Sequence, residues 1–334
     1  MRSVAILGAG SWGTALAVHL ARQGHDVRLW ARDAGLAGQM RALRVNALYL
    51  RDVALPDNVA VVDRLDDALE GATLVVSAPP SHGCRAVMRA ARPCLQPGST
   101  IVSATKGLES DTLCRMSEVI AEEVGPRHAV VVLSGPSFAA EVAREMPTVV
   151  VAASPDAAAT AAVQAEFRGP HFRLYGSDDV VGVEIGAALK NVIAIAAGVV
   201  DGLGLGHNAL AALMTRGLAE VTRLARALGG RQETLSGLSG LGDLILTCTG
   251  RLSRNRHVGM ELAQGRAIGD VLAGMKMVAE GVRTTGAALA LGARHGVELP
   301  ITTQTAEVLA GRVDVRAAIE ALMLRRQRAE AEAG

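Results

Sequence analysis

Lysine is scarce in this chain. Of its 34 basic residues only three are lysines, Lys106, Lys190 and Lys276, and arginine supplies the rest. A sequence that makes its ordinary positive charge from arginine but keeps Lys190 in an apolar stretch hints at a need for a compact ammonium with a tunable pKa, although single lysines also persist by chance. Charge excess is also missing. The 34 basic residues against 33 acidic ones leave a net charge of +1 and a pI of about 7.8, which excludes the basic footprint of a nucleic-acid binder. The four cysteines, Cys84, Cys94, Cys114 and Cys248, are scattered without a CxxC pair, so the expectation is a reduced, cytoplasmic protein. The opening MRSVAILGAGSWG reaches glycine too soon for the apolar run and cleavage site of a signal peptide. One long apolar run exists, Val180 to Val200, but Glu184, Lys190 and Asn191 would lie at membrane depth at ~2.5–3.5 kcal/mol per central charge. A core helix is therefore expected, and no stable membrane insertion.

A chain of 334 residues suggests about two domains. The first half opens with an aliphatic strand, Val4–Leu7, which meets Gly8-Ala9-Gly10-Ser11-Trp12-Gly13, a helical stretch Thr14–Arg22 and a second strand Asp26–Ala31. Strand, GxGxxG, helix and strand within ~30 residues point to dinucleotide binding. Gly8 permits the tight turn, Gly10 lets the backbone approach a pyrophosphate, and Gly13 lets the helix pack close to the strand. At the end of the second strand stands Arg32, suited to a 2′-phosphate, so NADP(H) is favoured. Asp33, one residue late for a ribose ligand, leaves NAD(H) open. Further strands are expected at Val59–Val62, Thr73–Ser77, Thr100–Ala104, Val130–Leu133 and Thr148–Ala153. Helices are expected at Asp66–Glu70, Cys84–Ala91, Thr112–Val124, Phe138–Arg144 and Ala157–Phe167. That alternation argues for a parallel, doubly wound sheet. The loops after three strands carry Ala78-Pro79-Pro80-Ser81, Thr105-Lys106-Gly107 and Ser134-Gly135-Pro136-Ser137. Ligands in such sheets bind outside the carboxyl ends of the strands, so Lys106 reads as a ligand contact. Ser137 reads as a ligand contact or as an N-cap for Phe138 onward, and the two are compatible because that helix start would also attract an anion.

From Asp178 the periodicity becomes helical. Asp178–Asp201 comes first, followed by Asn208–Leu228, Asn255–Ala263, Arg283–His295, Thr303–Leu309 and Val315–Leu322. The expected fold class is an α/β, Rossmann-like doubly wound domain at 1–177 and an all-α domain at 178–324, with a charged, frayed tail at 325–334. The two domains are expected to pack directly around a cleft. In the first long helix Lys190 follows the small turn Gly186-Ala187, over which its side chain leans, so a ligand has room to approach. Glu184 lies ~120° round the helix and is a poor partner for it. Later, Ser253 reads as the cap of a helix beginning near Arg254 or Asn255. A hydroxyl, a guanidinium, an amide and free N–H groups at a helix start make a phosphate receptor, although RNR also occurs on ordinary exposed helices. Asp243, in a glycine-flanked loop, reads as a ligand for a hydroxyl group or as a cap for Leu244 onward.

Several stretches together carry a resemblance: GAGSWGTALA (Gly8–Ala17), SATKGLE (Ser103–Glu109), SGPSFAAEV (Ser134–Val142), GAALKNVIAIAAG (Gly186–Gly198), TRGLAE (Thr215–Glu220), GLGDLILTCT (Gly240–Thr249) and SRNR (Ser253–Arg256). In this order they closely resemble the bacterial NAD(P)-dependent glycerol-3-phosphate dehydrogenases, from the first strand to about Ile319. The resemblance implies reversible reduction of dihydroxyacetone phosphate, a small phosphorylated substrate, for glycerophospholipid synthesis in the cytoplasm. It implies that Ser11, Trp12, Arg32, Lys106, Ala139, Arg254, Val278 and Glu280 line the cofactor. It also implies that Lys106, Gly135, Ser137, Lys190, Asp243, Ser253, Arg254 and Asn255 touch the substrate, with Lys190 the general acid/base and Asn191 a secondary candidate. A homodimer rests on the resemblance alone, and no metal site enters the reading. The chain departs from the family pattern at Gly186-Ala187-Ala188, where relatives often have two glycines, and at Ala279, where they often have valine. Neither change removes a reacting group. A ketopantoate-type reductase also joins a dinucleotide domain to a helical one and uses a lysine, but the phosphate receptor at Ser253–Asn255 argues against it. A non-catalytic dinucleotide sensor is disfavoured by Lys106, Lys190 and Asp243 occurring together.

Overall fold

Short β-branched runs punctuated by glycine and proline build the strands of the first half. In a computed structural model, which describes residues 2–275, 277–327 and 329, ten strands form: β1 (Ser3–Leu7), β2 (Asp26–Trp30), β3 (Val45–Asn46), β4 (Leu50–Ala54), β5 (Val59–Val62), β6 (Leu74–Ser77), β7 (Thr100–Ser103), β8 (Val130–Ser134), β9 (Thr148–Ala153) and β10 (Phe172–Ser177). Lys276, Arg328 and residues 330–334, among them most of the end of the expected tail, lie outside the described residues.

Eight of these strands make one sheet in the order β10-β9-β8-β7-β6-β1-β2-β5. β1 pairs in parallel with β2 (Ser3 opposite Asp26, Leu7 opposite Trp30) and with β6 (Val4 opposite Leu74, Leu7 opposite Ser77). The chain winds outward from β1 through β2 to β5, then crosses to β6 and winds the other way. The reversal sets a switch point between β1 and β6, where such sheets bind ligands at their carboxyl ends. The sheet is not wholly parallel, in contrast to what the alternation suggests. β9 runs antiparallel to β8, with Val132 opposite Ala153 and Ser134 opposite Val151, and β10 follows β9 in parallel. The connection from Ser134 to Thr148 contains only the five-residue helix Ala139–Ala143, whereas a parallel return usually runs through a full crossover helix. A two-stranded hairpin, β3 with β4, and a helix, Ala34–Leu43, are not legible as elements in the sequence. The helices flanking the sheet bury Leu16, Met40 and Phe167 against Ile6 and Leu29.

The chain divides into two compact units: residues 1–105 with 116–180, and residues 106–115 with 181–334. The sequence reading has one boundary, after residue 177, and keeps Lys106–Arg115 with the sheet. Those ten residues instead form a closed loop of the second unit. The Glu109 N–H donates to Cys114 O at 2.9 Å, Leu108 bridges Arg115, and Leu108 is buried in the second core with Leu189 and Ile193. The expected helix Thr112–Val124 consequently starts later, at Met116.

The second unit is helical and organised on one helix, Val180–Gly202. Every residue from Gly182 to Ile195 in it is buried. That burial explains its all-round apolar sequence: it is long and apolar enough to cross a membrane, but a helix that is hydrophobic on every side also suits the centre of a bundle. Glu184 within it is answered by Arg115, Nη1 to Oε2 at 2.8 Å. Glycines let neighbouring helices approach to backbone contact. A Cβ on Gly198 would lie 2.0 Å from Arg256 O, and one on Gly259 would lie 1.9 Å from Ile195 O. These two positions press the helix Arg254–Ala263 onto the central one. Gly217 does the same for the helix Gly206–Ala227, where a Cβ would lie 2.6 Å from Ile193 Cγ2. In the same TRGLAE stretch, the buried Glu220 carboxylate accepts from Ile301 N, Thr302 N and Thr302 Oγ1 at 2.7, 2.9 and 2.6 Å. It thereby caps the helix Pro300–Leu309 from outside.

Candidate active site

In the first unit the glycine-rich turn is built as its sequence requires. Gly8 has φ +123°, a conformation open to glycine, and a Cβ there would lie 2.8 Å from Ala78 O. A Cβ on Gly13 would lie 1.9 Å from Gly8 O, so the helix Ser11–Arg22 starts hard against the turn. At Gly10 the situation is the reverse, and a Cβ there would meet no heavy atom within 4 Å. Glycine at 8 and 13 serves packing, whereas glycine at 10 leaves space. An open backbone at the N-terminus of a twelve-residue helix fits the pyrophosphate of a dinucleotide. Ser11 and Trp12 are the half-buried first residues of that helix. Arg32 is exposed past β2. The Asp33 carboxylate accepts from Leu36 N at 2.7 Å through one oxygen and caps Ala34–Leu43.

The loop after β8 corrects one expectation. Ser137 does not cap the following helix, whose N-cap is Phe138 without a side-chain bond. Its hydroxyl donates to Gly135 O at 2.9 Å. Gly135 has φ +132°, and a Cβ there would lie 3.0 Å from Val150 Cα. Ala139, the first residue of that short helix, packs against the first core.

In the second unit, Lys190 is 6% exposed and Asp243 1%. The Lys190 Nζ lies 2.5 Å from Asp243 Oδ1 and 2.9 Å from Thr247 Oγ1. Thr247 in turn donates to Asp243 O at 2.6 Å. The other carboxylate oxygen, Oδ2, accepts from Lys106 Nζ at 2.8 Å. Two of the chain's three lysines thus share one carboxylate. Burial drives the Lys190 pKa down; Asp243 pulls it up, Lys106 pushes it down again, and it settles at about 7. Burial would raise the Asp243 pKa, but Lys106 and Lys190 outweigh it and hold the group below the usual carboxylate range. Cys248, beside this centre, is buried and pushed up to about 12, so it stays a thiol and offers no competing nucleophile.

The sequence expectation for Asp243 is a hydroxyl ligand or a cap. In the structure it opens the helix Asp243–Thr249 and is the counter-ion of both lysines. What carries it to Lys190 is a π-turn, Leu238–Gly242, whose Ser239 carbonyl sits where a Cβ on Gly186 would be, 2.7 Å away. The small turn before Lys190 is therefore not bare; Gly186 admits the backbone that brings Asp243. Thr247 escapes a reading of the sequence, because an amphipathic helix offers no local sign that one threonine faces a lysine from a distant segment.

Ser253 caps Arg254–Ala263 as expected, its Oγ accepting from Arg256 N at 3.2 Å. The two arginines of SRNR divide. Arg256 is paired with Asp201, while Arg254 is exposed at the helix start. Asn255 is 7% exposed; its Nδ2 donates to Asn191 Oδ1 at 2.9 Å and its Oδ1 accepts from Gly281 N at 2.9 Å. One side chain so joins the central helix, the helix Arg254–Ala263 and the helix Glu280–Arg294. Val278 and Glu280, both half-buried, flank the start of the last of these.

Comparison with known proteins agrees with this arrangement. The family model described as NAD-dependent glycerol-3-phosphate dehydrogenase N-terminus matches residues 3–160, and the one described as the C-terminus of the same enzyme matches residues 179–320. The chain is 55% identical over 313 residues to a glycerol-3-phosphate dehydrogenase (NAD(P)+) of Koribacter versatilis, covering 92% of this chain and 93% of that protein. It is 54% identical over 329 residues to the enzyme of the same name from Geobacter sulfurreducens, covering 98% of each. The crystal structure of glycerol-3-phosphate dehydrogenase from Coxiella burnetii superposes with a TM-score of 0.94 at 41% identity, over 97% of this chain and 99% of that one. With both halves matched in order and the relatives aligned nearly end to end, this chain belongs to the NAD-dependent glycerol-3-phosphate dehydrogenase family.

Proposed function

We propose that this chain reduces dihydroxyacetone phosphate to sn-glycerol 3-phosphate, reversibly, with NADPH favoured over NADH. The observation that carries the reading is the Lys190 ammonium, buried, poised near neutrality and held between Asp243 and Thr247. A group that both gives and takes a proton near physiological pH needs such a pKa. The Gly8–Gly13 turn and the start of helix Ser11–Arg22 hold the dinucleotide, and Arg32 meets the 2′-phosphate. The bound nicotinamide supplies the hydride that reduces the ketone carbon. Lys190 delivers its proton to the carbonyl oxygen as that oxygen gains charge, and takes it back in the reverse direction. Asp243 and Thr247 fix the direction of Nζ. Lys106 adds a second positive charge that favours the developing alkoxide and the anionic substrate. The substrate phosphate falls to the helix start at Ser253–Asn255, where the exposed Arg254 guanidinium and backbone N–H groups converge. Gly135 and Ser137 contribute further substrate contacts, and Ala139, Val278 and Glu280 further cofactor contacts. The product supplies glycerophospholipid synthesis in the cytoplasm.

The test is oxidation of NADPH and of NADH with dihydroxyacetone phosphate as the ketone. Turnover with it, and none with ketopantoate, is expected. The opposite pattern overturns the assignment.

A further inference from the structure

Asn46 belongs to the hairpin β3–β4, an element that neither the glycine motif nor the lysine centre uses. It is fully buried, and its amide is directed at the dinucleotide turn. Nδ2 donates to Ala9 O at 2.9 Å and to Thr14 Oγ1 at 2.8 Å, while Oδ1 accepts from Tyr49 N at 3.1 Å. A buried side chain with its whole amide engaged has little freedom, because releasing any of these bonds leaves a buried polar group unpaired.

The Ala9 contact has a geometric consequence. In a trans peptide the C=O and the following N–H lie in one plane and point in opposite directions. With Ala9 O held by Asn46, the Gly10 N–H is turned the other way, and a Cβ on Gly10 would meet no heavy atom within 4 Å. The rest of the turn is fixed independently. Gly8 N donates to Trp30 O at 3.1 Å, Thr14 N donates to Gly10 O at 2.9 Å, and Gly13 packs on Gly8 O. None of these determines which way the Ala9–Gly10 peptide faces. We propose that Asn46 is a positioning residue for cofactor binding: it locks the Ala9–Gly10 peptide so that the Gly10 N–H is presented to the dinucleotide pyrophosphate. The inference rests on the dinucleotide-binding part of the reading above and not on the identity of the ketone.

The pyrophosphate is common to both cofactors, which separates this role from that of Arg32. Asn46→Asp keeps the size and the acceptor for Tyr49 N, removes the donor to Ala9 O, and places a carboxylate against that carbonyl. In a fluorescence titration of the purified protein, Asn46→Asp is expected to weaken NADPH and NADH alike, by about 10–100-fold. Turnover at saturating cofactor should stay within about twofold. Thr14→Val, which removes only the second contact, should leave both affinities close to those of the parent. A folded Asn46→Asp protein that binds both cofactors normally, even with a lowered Tm, overturns the proposal, as does a loss confined to NADPH. Should Asn46→Asp not fold, Asn46→Ser, whose hydroxyl is too short to reach Ala9 O, carries the same titration. Because the readout is cofactor binding, it stands or falls separately from any assay of the ketone.

Discussion

Lys190 Nζ and Asp243 Oδ1 lie 2.5 Å apart, and the second oxygen of that carboxylate is held by Lys106 at 2.8 Å. One buried anion between two ammonium groups explains why a lysine persists inside an apolar helix. A lone buried ammonium costs several kcal/mol or loses its proton, and here the carboxylate offsets part of that cost without restoring an ordinary lysine. Lys190→Ala is therefore expected to keep cofactor affinity, because the glycine-rich turn is untouched. Its turnover should fall by about 10²–10⁴-fold, the usual contribution of a positioned acid/base. Steady-state kinetics beside a cofactor titration checks both halves, and near-normal turnover would sink the assignment.

The pH dependence has a definite sign. Burial and Lys106 bring Lys190 from 10.5 to about 7, so the amine is neutral through most of the alkaline range. With Lys190 as the proposed acid, ketone reduction draws on the protonated form and should decline as pH rises through about 7. Oxidation of glycerol 3-phosphate needs the neutral form and should rise through the same region. Lys106→Met removes a repelling charge while Asp243 stays, so the limb in kcat/KM should move to higher pH. Asp243→Asn removes the stabilising anion and should move it lower. A limb that stays in place in both variants is incompatible with Lys190 as the titrating group.

What the sequence discloses and what it withholds differ in range. The GxGxxG turn, the core helix and the Ser253 cap are local patterns, set by neighbours within a few positions, and they are legible. The partner of Lys190 is not. Asp243 and Thr247 reach it only because Gly186 admits the Ser239 carbonyl, a packing event between distant segments that leaves no periodic trace. Ser137 and Asp33 show the limit of cap rules. Asp33 caps a helix that the sequence pattern does not reveal, whereas Ser137 turns to the nearby Gly135 carbonyl, since a short polar side chain has several local acceptors. Glu220 lies in a stretch that carries the family resemblance, yet its three bonds serve the helix Pro300–Leu309.

Arg32 provides a separate test of cofactor choice. It is exposed past β2, and the neighbouring Asp33 carboxylate is engaged with Leu36 N. A guanidinium that can fork onto a phosphate favours a 2′-phosphate over a bare ribose hydroxyl. Arg32→Ala should weaken NADPH by roughly 5–50-fold, in keeping with loss of one charge-assisted contact, and change NADH little. Equal weakening of both cofactors in a binding titration refutes the 2′-phosphate role.

The last prediction concerns the packing that carries the proposed phosphate receptor. A Cβ on Gly259 would lie 1.9 Å from Ile195 O and 2.8 Å from Val199 N, so Gly259→Ala has no room without moving the helix Arg254–Ala263 away from the central helix. Backbone atoms cannot rotate aside as a flexible side chain can, and the strain should cost about 1–3 kcal/mol or more. Because Ser253, Arg254 and Asn255 sit at the start of the displaced helix, the KM for dihydroxyacetone phosphate should rise along with the fall in Tm. Cofactor affinity should fall less than substrate affinity, since the Gly8–Gly13 turn belongs to the other unit and only Arg254 of the expected cofactor contacts sits on the displaced helix. Gly269 provides the control. It is exposed on the helix Ile268–Ala273 with no heavy atom within 4 Å of a Cβ, so Gly269→Ala should stabilise the protein by roughly 0.5–1 kcal/mol. The same chemical change is then expected to act with opposite sign at two glycines, and thermal melts of the two variants decide whether close helix contact at Gly259 is the cause.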